Sequence, residues 1–254
     1  MRTVLKLLIA LALCTPALQA HKNNPAPVPM LADVTARGRM LAEYDDAAWH
    51  ATTAVVALRP EAGTVRRTIA RKTDAGWIVE FGRLNDTRDA FLVAYEATQG
   101  SDPKKFAVQT YDPPKRDTGY FLVAAKAIEA SLQNFQGERR PYGAYVLPAD
   151  SGQLYVYVVP APTQADVYPI GGDTRYLVSA DGSTVIETRK LHATLFEIKN
   201  SALPGGKEAA EFRTDILNDA PWIRTSSAFF AGSLRSRNSS GPKAECSRSI
   251  RTER

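Results

Sequence analysis

Residues 174–198, TRYLVSADGSTVIETRKLHATLFEI, constrain the chain more than any other stretch. Tyr176 and Val178 alternate with polar neighbours, the period of a half-buried strand. Ala180-Asp181-Gly182-Ser183 then reverses the chain. Gly182 supplies a positive φ, and Asp181 offers a carboxylate to its own backbone. The return run, residues 184–198, is long for one strand. Leu191, Ala193 and Leu195 share one face and Ile186 lies on the other. That pattern predicts a bulge or bend near Arg189-Lys190, which turns the second half into a new sheet direction. A hairpin alone is marginal in water, so other strands must pair with it.

Those strands are legible upstream. Residues 30–58 carry helical period through Val34, Leu41, Tyr44, Ala48, Ala51, Val55 and Leu58, and Pro60 and Gly63 stop the run. Strands are predicted at 66–73, 77–83, 90–98 and 106–111, with Asp, Asn or Gly at the turns between the first three, hence an antiparallel meander. Trp77, Val79 and Phe81 form one apolar face, and Phe91, Val93 and Tyr95 another, for the first helix to cover. Pro113-Pro114 is expected to close this half. A second helix starts at Asp117 or Thr118, shows an apolar face at Phe121, Ala125, Ile128, Leu132 and Phe135, and ends at Gly137. Strands at 142–147 and 153–159 follow. Leu154, Val156 and Val158 oppose Tyr155, Tyr157 and Val159, so the second strand is expected to be central. The fold class is therefore α+β, mainly antiparallel sheet packed by two long amphipathic helices.

The resulting organisation is a leader (1–20), an extended Pro-rich lead (21–29), a helix plus meander (30–114), a helix plus antiparallel sheet (115–221), and a tail (222–254). A strand at 210–217 follows a Pro/Gly loop at 201–207. The tail has eight Ser and seven Lys/Arg but only two Glu. It reads either as disorder or as the product of a shifted reading frame. The neighbouring frame can encode apolar strand-like runs, so an incomplete sheet edge is expected near Leu217.

Residues 1–20, MRTVLKLLIALALCTPALQA, have the positive start, apolar centre and small-residue end of a secretory signal, with cleavage after Ala20. Export to the periplasm or medium follows. Leu11-Ala12-Leu13-Cys14 is a poorer lipoprotein signal, because Leu13 stands where a small residue is wanted. No later stretch is apolar enough to span a bilayer.

The formal charge is +5. The leader carries two of those positives and the tail a net +5, which leaves the body at −2. No basic stripe marks the body as a nucleic-acid binder. Outside the leader the sole cysteine is Cys246, so no intrachain disulfide is expected.

Catalytic motifs are scarce. The chain has no Gly-x-Ser-x-Gly, P-loop or His-Glu-x-x-His. Ile170-Gly171-Gly172-Asp173 precedes a strand, not the helix amino end that a phosphate cradle needs, and reads as a strand-entry turn. Of three histidines, His21 would be the mature amino terminus, His50 a partly covered helix residue, and His192 a mid-strand residue that is hydrogen-bonded or on the polar face. Arg139-Arg140 beside Glu138 reads as a solvated connector.

Gly137-Glu138-Arg139-Arg140-Pro141-Tyr142, Gly171-Gly172-Asp173, Val178-Ser179-Ala180-Asp181-Gly182 and Arg189-Lys190-Leu191-His192 resemble an uncharacterised family of exported bacterial proteins. At longer range, the order of elements resembles the JAB/MPN metalloprotease fold. There a Glu, a His-x-His pair and a Ser-x-x-Asp bind zinc and activate water. Glu138 would match the Glu. Arg213-Thr214-Asp215 would stand at His-x-His, and arginine does not ligate zinc. The resemblance thus implies a catalytically dead copy, with Glu138, His192 and Asp215 as cleft candidates for a metal. No catalytic residue and no cofactor are expected. The expected function is a non-enzymatic module that binds a protein or envelope component, with a degenerate metal-dependent hydrolase as the alternative.

Overall fold

A computed structural model describes residues 31–164, 167–192 and 194–199. The leader, the extended lead, the predicted strand at 210–217, the tail and Asp215 lie outside the described residues, as does the expected edge near Leu217. The described chain is α+β, with mainly antiparallel sheets.

Helix α1 (Leu31–Val56) leads into a four-stranded meander, β1 (Arg67–Thr73), β2 (Gly76–Leu84), β3 (Phe91–Gln99) and β4 (Phe106–Asp117), paired in that order. On α1, Val34, Tyr44, Ala51 and Val55 are buried as the period predicts. Ala47 is fully buried beside them, whereas Leu58 falls past the helix end and stays 51% exposed. Tyr44, Ala47, Ala51 and Val55 join Ala70, Trp77, Val79 and Phe81 in one core cluster. Each such side chain removed from water contributes roughly 1.5–3 kcal/mol for the larger apolar types.

Strand β3 departs from strict alternation. Its pairing with β2 jumps between Val93 and Tyr95, leaving Ala94 as a bulge. An extra residue reverses which side chains face which way. Phe91 and Val93 therefore enter the second core cluster while Tyr95 packs with the first, so the three do not share a face as predicted. Pro113-Pro114 does not close this half either. Pairing of β3 with β4 resumes at Lys115 after an excursion from Thr110. The prolines lack an N–H to donate and are tolerated because β4 is an edge strand.

Helix α2 (Tyr120–Gln133) begins where Asp117 Oδ1 accepts from the backbone N–H groups of Gly119 (2.9 Å) and Leu122 (3.3 Å). It ends at Gln133, with the Asn134 side-chain amide donating to the Ala130 carbonyl, rather than at Gly137. The expected pair of long amphipathic helices is corrected here. Only α1 is long. α2 has 14 residues and is buried on most of its circumference, through Phe121, Leu122, Ala124, Ala125, Ala127, Ile128, Ala130 and Ser131.

The second sheet has the order β5-β6-β8-β9, from β5 (Tyr142–Pro148), β6 (Leu154–Pro160), β8 (Thr174–Val178) and β9 (Val185–Lys190). As its two apolar faces predict, β6 is central: Val156 and Val158 join Phe121, Ala125 and Ile128, while Tyr157 and Val159 join the α1 cluster. Between β6 and β8 the chain leaves the sheet to form β7 (Val167–Gly171), which pairs with β10 (Leu195–Lys199) in a separate two-stranded sheet. The predicted break in the long return run is thus present, just beyond Lys190. The tip of the β8–β9 hairpin docks against α2. Gly182 has φ +75°, and a Cβ there would meet the Val123 carbonyl at 2.3 Å.

Candidate functional site: a polar face at the end of a hairpin

Two consecutive glycines with positive φ, Gly171 (85°) and Gly172 (67°), turn the chain out of β7 and into β8. This is the strand-entry turn the sequence predicts. Asp173 follows, and its carbonyl accepts from the Leu191 N–H at 3.0 Å, which extends the β8–β9 ladder by one step. The chain then bends, and His192 lies in that bend rather than in mid-strand. Its ring is buried, with Nδ1 2.6 Å from Asp173 Oδ1. Nε2 is also buried and has no hydrogen-bond partner among the described residues. The expectation of a hydrogen-bonded core histidine holds. Chemically, a carboxylate on one ring nitrogen fixes the tautomer and leaves the other nitrogen as an acceptor.

The same end of the hairpin carries a cluster that sequence reasoning missed. The ladder places Arg175 opposite both Tyr157 on β6 and Arg189 on β9. Arg37 reaches in from α1. Its guanidinium carbon lies 5.6 Å from the Tyr155 ring centre, and that of Arg175 lies 4.8 Å from it. Arg175 is 7% exposed at its side chain and donates to Glu187 at 2.7 Å. The Nε atoms of Arg175 and Arg37 are buried without a partner among the described residues. The Tyr157 hydroxyl has no well-formed hydrogen bond there either, although Arg37 lies against it. Burial pushes Tyr157 up to about 12, against the pull of Arg175 and Arg37. Burial and then the charge of Arg175 hold Arg189 below the usual arginine range. The alternation of Tyr155 and Tyr157 was visible in the sequence, but not the arginines that face them from three other elements.

A second polar cluster sits on the first sheet. Glu80 and Glu96 stand directly opposite one another on β2 and β3. Like charges so placed repel, and Lys115 of β4 bonds to both, at 3.0 Å to Glu80. Burial raises the Glu80 carboxyl to about 7 against the hydrogen bond and charge of Lys115. Burial lowers Lys115, but its two carboxylates outweigh that and raise it.

Of the predicted cleft residues, the structure describes Glu138 and His192, which lie on separate segments. Glu138 is exposed in the connection between α2 and β5, where its carbonyl accepts from Arg140 N–H at 2.9 Å. His192 is turned to Asp173, and Asp215 is outside the described residues. Among the described residues no group of three His, Cys, Asp or Glu side chains is placed to hold a metal ion. His50 is partly covered and lies 3.7 Å from Asp46 on its own helix, and burial lowers its pKa. Arg140 corrects the reading of a solvated connector: it is largely buried, bonding to the Ala161 carbonyl at 3.1 Å and to Glu197 at 2.9 Å. No described helix is long and apolar enough to cross a membrane.

Fold and site define a class: an α+β protein with antiparallel sheets and a polar, arginine-bearing face set into its core. No family model, no curated protein and no solved structure matches the chain.

Proposed function

We propose that this chain is an exported, non-enzymatic binding module of the bacterial cell envelope, and that the face around Tyr155 receives its partner. One observation carries the reading. Arg37, Tyr155, Tyr157, Arg175 and Arg189 share a face with the apolar core, and two of their buried nitrogens have no partner among the described residues. Burying charge with incomplete pairing costs stability. A fold retains such a face when something else completes it. Export rests on the signal-like residues 1–20.

The test is a photo-crosslinking residue at Tyr155 in the full chain, expressed in a bacterial envelope. A discrete adduct, lost in Arg37→Gln, is the expected result. Irradiation that yields no adduct sinks the reading. Mass spectrometry of the mature protein should find His21 at its amino terminus.

A second reading, a degenerate hydrolase, is favoured by the buried Asp173–His192 pair, the arrangement that orients an imidazole base. Stoichiometric zinc in the purified protein, lost in His192→Ala, would select it over the first.

A further inference from the structure

Each four-stranded sheet ends in two strands, β1 and β4 in the first, β5 and β9 in the second. β1 and β5 approach each other, and the Ala70 N–H on the outer side of β1 is taken by the Tyr44 hydroxyl at 2.9 Å. β4 carries Pro113-Pro114, which give no N–H to a neighbour. β9 has no proline and, among the described residues, no strand beyond it. Such an edge is a template for another strand. We propose that a second copy of this chain pairs with it, β9 to β9, antiparallel across a two-fold axis.

The ladder decides which backbone groups face outward. Leu191 N–H donates to the Asp173 carbonyl at 3.0 Å, and in an antiparallel pair alternate residues turn to the same neighbour. Arg189 and Glu187 therefore bond inward to β8, while Thr188 and Lys190 present N–H and C=O outward. Both of these are exposed, and Ile186 is 52% exposed. The pairing with β8 skips Ile186, a bulge that bends the strand and confines straight pairing to a few residues. A two-fold contact consumes both edges, so the assembly closes at two copies.

Charge selects the register. A strand paired antiparallel with its own copy has one residue on the axis. With Glu187 there, Glu faces Glu; with Arg189 there, Arg faces Arg, and like charges directly opposite repel. With Thr188 there, Glu187 of each copy faces Arg189 of the other, in the positions where side chains lie closest. Glu187 also holds Arg175 at 2.7 Å, and Arg189 has a contact within its own chain. The register depends only on the signs of the charges that face each other. The Glu187 side chain is 41% exposed, within reach of a neighbour.

The test is sedimentation equilibrium of the full chain up to about 1 mM, with unfolding followed in parallel. The parent should show a monomer–dimer equilibrium. Arg189→Glu should weaken the dimer roughly tenfold or more, and Glu187→Arg should do the same. An equimolar mixture of those two variants should associate again, because each reversed strand then meets the opposite charge. Thr188→Pro removes an outward N–H and should abolish the dimer without lowering the Tm of the monomer. Glu187→Arg takes the carboxylate from Arg175; if it does not fold, Arg189→Glu and Thr188→Pro still decide. A parent that stays monomeric, a dimer unchanged in Arg189→Glu and Thr188→Pro, or a mixture no better associated than its components overturns the proposal. A monomer whose Tm falls in Thr188→Pro would show another part of the same chain on this edge, and overturns it too.

Discussion

Asp173 Oδ1 and His192 Nδ1 lie 2.6 Å apart, with both side chains almost wholly buried, at the point where the chain leaves the second sheet for the β7–β10 pair. The two form a hydrogen bond where neither has water. Removing the imidazole takes that partner from a buried carboxylate, which costs about 1–3 kcal/mol, and more for a charged group. His192→Ala should therefore lower unfolding free energy by at least about 2 kcal/mol in urea titrations. Asp173→Asn, which keeps a hydrogen-bonding group, should cost less. Equal, negligible losses would show that the pair is dispensable.

Glu80 predicts a pH dependence with a definite sign. Its carboxyl is raised in the folded state from 4.5 to about 7. Between those values the folded chain binds more protons than the unfolded one, so this group's contribution to stability falls as pH rises. The amide of Glu80→Gln cannot titrate. Its stability relative to the parent should therefore increase across about pH 4.5 to 7 and then level off. A constant or decreasing difference in parallel denaturant titrations would contradict the assignment.

Gly182 and Gly63 make a matched pair of tests. Both have positive φ, +75° and +88°, but a Cβ at Gly63 would meet open space while one at Gly182 would meet the Val123 carbonyl. Gly63→Ala should cost only backbone strain, about 1 kcal/mol. Gly182→Ala should cost that plus the displacement of the hairpin tip from α2, together more than about 2 kcal/mol. Similar thermal shifts in the two variants would mean that the docking of the tip is weak.

Tyr44 joins packing to a hydrogen bond. Its buried hydroxyl accepts from the Ala70 N–H at 2.9 Å, and burial raises its pKa strongly. Tyr44→Phe preserves the ring and strands a buried donor. A loss of about 1–3 kcal/mol is expected, with faster hydrogen exchange at Ala70. Unchanged exchange there would show that the bond is not formed in solution.

The extended elements were readable because period-two alternation and turn residues are local signals. Strands β1, β2, β5, β6, β8 and β9 lie where those signals put them, and the break after Lys190 followed from an apolar face that changed sides. What failed depended on a neighbour. The bulge at Ala94 leaves no composition mark, so Tyr95 was given the wrong face. Pro113-Pro114 reads as a stop unless one knows that β4 is an edge. The reach of α2 was overstated because its apolar period runs on through Phe135, whereas the helix stops at Gln133. Of the candidate site, His192 was singled out and its hydrogen-bonded burial anticipated, but not its partner. Arg37 is more than a hundred residues from Tyr155 in the chain, and no spacing rule joins a helix arginine to strands that far away.

Each core cluster draws on both sides of the segment joining β4 to α2: Trp77 and Phe81 share one with Leu147 and Val159, and Ile69 and Phe91 share the other with Val156 and Tyr176. Severing the polypeptide near residue 118 would therefore not release two self-sufficient pieces. Each fragment would carry half of two oily interiors, and the pair would persist only as a noncovalent complex that comes apart and unfolds in one step.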